Sequence, residues 1–347
     1  MKTLDQLVNK ALSRRNFLAG AGAVAATTAV AGCSNNGTTA TTTTTTTTGT
    51  SFTDADVLNF ALNLEYLEAQ FYVYAATGSG LASSDTSAPS GYTGSYTQGS
   101  VTVGNAAKVS GATTAQQNII NEIAFEEQQH VRFLRKALGS AAVPMPSIDL
   151  SFFGPLAVAA TIYTSSQPAF NPFSSFDAFL LGAFIFEDVG VTAYAGAAPL
   201  ISTAGVTSGY LTAAAGILAV EAYHAAYVRT ALTAIDQLAG NTTYTGIANL
   251  IASLRATLTV GNSGAPSSGT GNTGAAGSST SVEVKLVVPT STSTPSSIVA
   301  CDSTNAIGFA RNVNQVHHIV YGNATVGTKS GGFFPSGTNS IFATTTA

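Results

Sequence analysis

Four stretches of the chain repeat apolar residues at three- and four-residue spacings, the period of a helix that buries one face. Residues 54 to 76 put Leu58, Ala61, Glu65, Glu68 and Tyr72 on one stripe, with Thr53 placed to cap the start and Gly78 to end it. Residues 114 to 138 do the same with Ile120, Ile123, Glu127, His130 and Leu134, ended by Gly139. Residues 175 to 197 carry Leu180, Ala183, Glu187, Gly190 and Tyr194 and stop at Pro199. Residues 209 to 234 carry Ala214, Ile217, Glu221, His224 and Val228. An apolar stretch at 244 to 258 predicts a fifth helix.

The connections predict how these helices pair. The link at 77 to 113 is rich in Gly, Ser and Thr, with short strand expected in Tyr96 to Val103. The link between the second and third helices is similarly long, and that between the third and fourth is short. Short links join antiparallel neighbours and long ones cross a bundle, so the economical topology is two helical hairpins joined by a long crossover. The expected fold is therefore mainly α, a four-helix bundle over 52–260. A Gly/Ser/Thr-rich linker follows at 261–281, then a C-terminal extension at 282–347 with some strand.

Each stripe has a carboxylate at its centre, where a bundle ordinarily has Leu or Ile. Burying one unpaired carboxylate costs several kcal/mol, and several together repel one another, so the pattern calls for a cation. The second and fourth helices carry Glu127-Gln128-Gln129-His130 and Glu221-Ala222-Tyr223-His224. That three-residue offset puts Glu and His on one helical face. One Glu-x-x-His is weak evidence, because surface helices contain it by accident. Two of the chain's four histidines in this motif, on separate amphipathic helices, are stronger. Glu65, Glu127, His130, Glu187, Glu221 and His224 are thus the candidate metal ligands, with Glu127 and Glu221 expected to bridge and Glu65 and Glu187 to be terminal.

Internal similarity selects Glu65 over Glu68 on the first helix. Leu64-Glu65 followed by Tyr72 matches Phe186-Glu187 followed by Tyr194, while Glu68 falls opposite Gly190. Arg135 and Arg229 each lie five residues after the motif histidine, so the two hairpins read as a weak duplication. Glu68 and Glu126 lie beside the ligands as supporting groups or a proton relay, with an exposed role equally open for Glu126. Tyr72 and Tyr194 read as core aromatics with a satisfied hydroxyl ahead of a redox or ligand-orienting role. Asp188 is expected to face away from the site.

The N-terminus changes the picture of where the protein works. Lys2 and Lys10, then Ser13-Arg14-Arg15-Asn16-Phe17-Leu18, then a weakly apolar run from Ala19 to Gly32 resemble a twin-arginine export signal at 1–32. Val30-Ala31-Gly32-Cys33 resembles a lipobox, in which Cys33 is lipidated and a Thr-rich tether at 33–51 follows. Ala29-Val30-Ala31 also fits ordinary signal cleavage. Either reading places the mature protein in the periplasm or anchored on a membrane's outer side. Cys301 is then the only other cysteine, which excludes a disulfide framework and a cysteine-ligated metal. Setting aside Lys2, Asp5, Lys10, Arg14 and Arg15 leaves 9 basic and 16 acidic residues, and no basic face for nucleic acid.

Several motifs together resemble the ferritin-like domain family of exported bacterial proteins that includes plant desiccation-related proteins. They are Leu58-Asn59-Phe60-Ala61-Leu62-Asn63-Leu64-Glu65-Tyr66-Leu67-Glu68 with Phe71-Tyr72, Phe186-Glu187-Asp188-Val189-Gly190 with Ala193-Tyr194, and both Glu-x-x-His motifs. Phe309-Ala310-Arg311, Gln315-Val316, Ile319-Val320-Tyr321-Gly322 and Gly331-Gly332-Phe333-Phe334-Pro335 extend the resemblance over roughly 52 to 340. His317 and His318 fall outside that pattern and read as structural or surface residues in a strand-like stretch. The resemblance implies a ferritin-like bundle and a two-metal centre. Four carboxylates and two histidines suit Fe first and Mn nearly as well. Oxygen, peroxide or metal ions are the expected small-molecule substrates of an oxidoreductase. The competing expectation is a non-catalytic envelope protein protecting against stress or desiccation. A storage cage ranks behind both, because long insertions and a lipid tether oppose closed-shell packing.

Overall fold

The computed structural model describes residues 52–104, 108–166, 168–260, 283–289, 298–302 and 306–345. The expected signal at 1–32, Cys33, the tether to 51 and the 261–281 linker lie outside the described residues.

The first helix, α1 (Asp54–Thr77), starts where Thr53 and Asp56 form a reciprocal capping box and ends at Gly78 in the left-handed conformation. A four-residue turn, α2 (Ser83–Thr86), precedes β1 (Val101–Thr102), all that remains of the strand expected over Tyr96 to Val103. Helix α3 (Thr114–Leu138) again opens on a capping box, Thr113 with Gln116. The crossover holds β2 (Ile148–Asp149), parallel to β1, and α4 (Phe153–Ala159). Then come α5 (Phe176–Ala197), the short α6 (Thr203–Thr207) and α7 (Tyr210–Ala239). Helix α8 (Thr243–Val260) is the fifth expected helix. Helix α7 runs five residues past its predicted end because nothing stops it before Gly240, and its Asp236 accepts hydrogen bonds from the Tyr244 and Thr245 amides that open α8.

The topology is the expected pair of hairpins. Gln117 reaches Ala76 while Arg135 reaches Tyr66, so α1 and α3 run antiparallel. Glu187 meets His224 while Gly190 lies against Glu221, which sets α7 antiparallel to α5. Helices α1 and α5 are buried almost all round, unbroken from Val57 to Tyr72 and from Phe179 to Gly190. A helix apolar on every face needs cover on every face. Here α3 and α7 cover one side, and the crossover, α8 and the C-terminal segment cover the other.

The C-terminal segment corrects one expectation. His317 and His318 lie in a helix, α9 (Val313–Val320), opened by an Asn312–Gln315 capping box, and both are completely buried. The capping box opens a helix where the stretch had read as strand-like. Among the described residues, strand pairing in the extension is limited to two isolated bridges, Cys301 with Gly308 and Gly331 with Phe334. The segment is tied to the bundle at specific points. Phe333 packs against Phe153 and Phe186 with ring centroids 5.0 and 4.9 Å apart. The amide of Asn339 donates to the side chain of Asn63 on α1 at 2.9 Å. Arg311 crosses α5 so closely at Gly196 that a Cβ there would lie 1.8 Å from the Arg311 carbonyl oxygen.

Candidate metal centre

All six predicted ligands converge. Glu65, Glu127, His130 and Glu221 present atoms within 4.8 Å of one another, and Glu127, Glu187 and His224 form a second such group. His130 Nδ1 lies 3.3 Å from Glu65, 3.5 Å from Glu127 Oε2 and 3.6 Å from Glu221. His224 Nδ1 lies 3.1 Å from Glu127 Oε1 and 3.5 Å from Glu187. Glu127 therefore turns one oxygen toward each imidazole, the disposition of a bridging carboxylate. Glu221, the other expected bridge, groups with the Glu65–His130 side only.

The polar atoms here lack partners. Glu65 Oε2, both Glu127 oxygens, Glu187 Oε2, both Glu221 oxygens, His130 Nδ1 and His224 Nδ1 are buried without a hydrogen bond. Buried polar atoms are ordinarily satisfied, so this many in one place need another occupant. An N/O donor set of carboxylates and imidazoles fits Fe or Mn.

Burial and the neighbouring charges set the protonation of the cluster. Burial alone would lower His130 and His224, but the carboxylates around them raise the imidazoles to about 11 and about 12. Burial opposes ionisation of Glu127 too, yet the two imidazoles beside it pull it down to about 2. Burial, reinforced by the other carboxylates, pushes Glu221 and Glu68 well up. Protons thus offset part of the negative charge. Ligation requires neutral imidazoles, so metal uptake is expected to release protons, and apparent affinity to rise about tenfold per pH unit for each proton released. A dye recording protons in weakly buffered anaerobic solution measures this. A pH-independent affinity would contradict the assignment.

The surrounding groups hold the ligands in place. Tyr72 on α1 donates to Glu187 on α5, and Tyr194 on α5 donates to Glu65 on α1, a reciprocal pair across the bundle. The two tyrosines are the core aromatics expected, but their hydroxyls are satisfied by the candidate ligands themselves. His224 Nε2 donates to Glu126 at 2.7 Å, which leaves Nδ1 aimed inward. Glu126 is only part-exposed and orients an imidazole, the role that spacing left open. Glu126→Ala is expected to weaken metal affinity about ten- to hundredfold, and Glu126→Gln, which keeps an acceptor, by less. Competition against a chelator measures both.

Sequence reasoning missed the cluster behind the site. Asp188 does face away from the candidate ligands, into a buried network with Arg229 at 2.8 Å and Arg255 at 2.9 Å. Glu283 joins Arg255 at 2.6 Å and also pairs with Arg311. The signal was present: Arg255 sits among Ile251, Ala252 and Leu258 on the buried stripe of α8, as anomalous there as the glutamates elsewhere.

Fold and centre together define a four-helix bundle with a buried carboxylate–histidine cluster. The chain belongs to the ferritin-like domain family, which it matches over residues 53–234. It is 32% identical over 183 residues to a ferritin-like catalase, Nec2, of Nesocodon mauritianus, covering 52% of this chain and 54% of that protein. It is 30% identical over 181 residues to the desiccation-related protein PCC13-62 of Craterostigma plantagineum, covering 52% and 53%. The chain spans about half the length of these curated relatives. No solved structure matches it significantly.

Proposed function

We propose that this is an exported di-metal oxidoreductase, holding two Fe or two Mn ions and acting on peroxide or oxygen, with peroxide favoured. The observation that carries the reading is the convergence of unsatisfied carboxylate and imidazole atoms on two adjoining positions. The relative described as a ferritin-like catalase supports peroxide as the oxidant. A bound pair of such ions supplies two-electron redox chemistry at neutral pH. The chain's own residues do the rest. Glu127 sets the spacing of the two positions, Tyr72 and Tyr194 fix Glu187 and Glu65, and Glu126 fixes His224. Burial of all four central glutamates excludes bulk water.

Protein reconstituted with Fe or Mn is expected to release oxygen from hydrogen peroxide, read on an oxygen electrode. Metal-free protein and a His130→Ala His224→Ala variant are expected to release none. The second reading, a scaffold that protects during drying, draws on the desiccation-related relative. It is favoured instead if the loaded protein is inert toward peroxide and oxygen while metal-free protein preserves a test enzyme through drying.

A further inference from the structure

Helix α3 gives its inner stripe to the candidate centre and carries a second stripe, Glu122, Phe125, Gln129, Phe133 and Lys136, on its outer side. Phe125 is 61% exposed and Phe133 44%, and the two lie two turns apart on one face. The remaining exposed phenylalanine among the described residues, Phe52, lies outside the helices. Apolar residues scattered singly over a surface are ordinary, but two phenylalanines in register on one stripe form a pattern.

That pattern is symmetric about Gln129. Positions three, four and seven residues to either side share its face of the helix. Three away stand Glu126 and Arg132, four away Phe125 and Phe133, and seven away Glu122 and Lys136. Every pair joins acid with base or aromatic with aromatic. When two copies of a helix pack antiparallel across a two-fold axis at Gln129, each residue meets the one equally far on the other side. Phe125 then meets Phe133 of the partner subunit, and Glu122 meets Lys136 of the partner subunit, each contact occurring twice. Gln129 meets its own copy, and a side-chain amide, both donor and acceptor, can pair with itself. Parallel packing would set Glu122 against Glu122.

The charges are not explained within one chain. The helix dipole accounts for Lys136 in the last turn, but its effect fades within a turn and does not reach Glu122, the ninth residue of α3. Neither Glu122 nor Lys136 forms an ion pair among the described residues. The innermost pair adds little, because Glu126 Oε2 is taken by His224 and the Arg132 guanidinium by Asp85.

We infer that the outer face of α3 is a dimer interface whose partner is a second copy of this chain, packed antiparallel across Gln129. The phenylalanines form its apolar middle. The Glu122–Lys136 contacts at its two ends fix direction and register, since the two positions lie about 21 Å apart along the helix. A single helix pair is a small interface, so an affinity on the order of micromolar is expected. Nothing in this interface depends on bound metal.

Sedimentation equilibrium of the purified protein, from low micromolar to hundreds of micromolar, is the test. The wild type is expected to pass from monomer to dimer across that range. Phe125→Ser removes an aromatic anchor and is expected to weaken the dimer about tenfold or more. Glu122→Lys and Lys136→Glu each bring like charges together twice per dimer, with a similar loss expected of about tenfold or more. Mixing these two reversed chains in equal amounts restores both opposite-charge contacts, and they are expected to associate within about threefold of the wild-type affinity. Circular dichroism establishes that each variant is folded. A wild type that stays monomeric at hundreds of micromolar overturns the interface. So does a dimer that both reversals leave unchanged within about twofold, or a pair of reversed chains that fail to associate when mixed.

Discussion

Replacing Glu127 by alanine is expected to empty both halves of the centre at once. Glu127 is the one carboxylate in both ligand groups, with an oxygen toward each imidazole. Removing His130 or His224 strips a donor from one group only, so each of those single variants is expected to retain about one ion per chain. Glu127→Ala is expected to fall below about a tenth of wild-type metal content, because each position loses an anionic donor and the attraction it gave the other ligands. The stabilisation that metal confers on the fold disappears with it, since ligands that bind only the native state add to its stability by mass action. Metal analysis and thermal melts with and without metal read both effects. A Glu127→Ala variant that keeps one tightly bound ion would show that the two groups do not share this residue.

The largest loss of stability unrelated to metal is expected at Asp188. Its carboxylate pairs with Arg229 and Arg255 in a region where every partner is buried, and Arg229 and Arg255 also stack over Phe184 at 5.5 and 4.7 Å. Breaking a buried pair leaves the other charge stranded, at a cost of about 3–5 kcal/mol. Asp188→Ala takes one carboxylate from both Arg229 and Arg255 and leaves Glu283 paired with Arg255 and Arg311. A melting temperature lower by on the order of ten degrees is expected. Metal binding measured well below the melt is expected to persist, because Asp188 contributes no ligand atom. If metal were lost at low temperature as well, the network would have to be positioning Glu187 next door.

Some parts of this protein were legible in its sequence because one local rule governed them. The second helix spans 114–138 as read, since Thr113, Gln116 and Gly139 mark its ends and its apolar stripe faces a single core. The six candidate ligands were legible for the opposite reason: carboxylates in a buried stripe violate the pattern around them. Internal similarity matched Glu65 with Glu187 but did not give the reciprocal bonds from Tyr194 and Tyr72, because those tyrosines read first as core aromatics. The C-terminal segment was not legible. Phe333, Asn339 and Arg311 meet Phe186, Asn63 and Thr192, 119 to 276 positions away along the chain, so no local periodicity records those contacts. The helical state of His317 and His318 was decided by Asn312 and Gln315 rather than by the histidines' own neighbours.

The central claim is that the buried cluster is a two-ion metal centre. Protein purified metal-free and reconstituted anaerobically with Fe(II) or Mn(II), then desalted, is to be analysed for metal by mass spectrometry against protein concentration. The account predicts close to two ions per chain, the stoichiometry of six ligands shared between two positions. Metal near zero, in protein whose helical circular dichroism is intact, would contradict it.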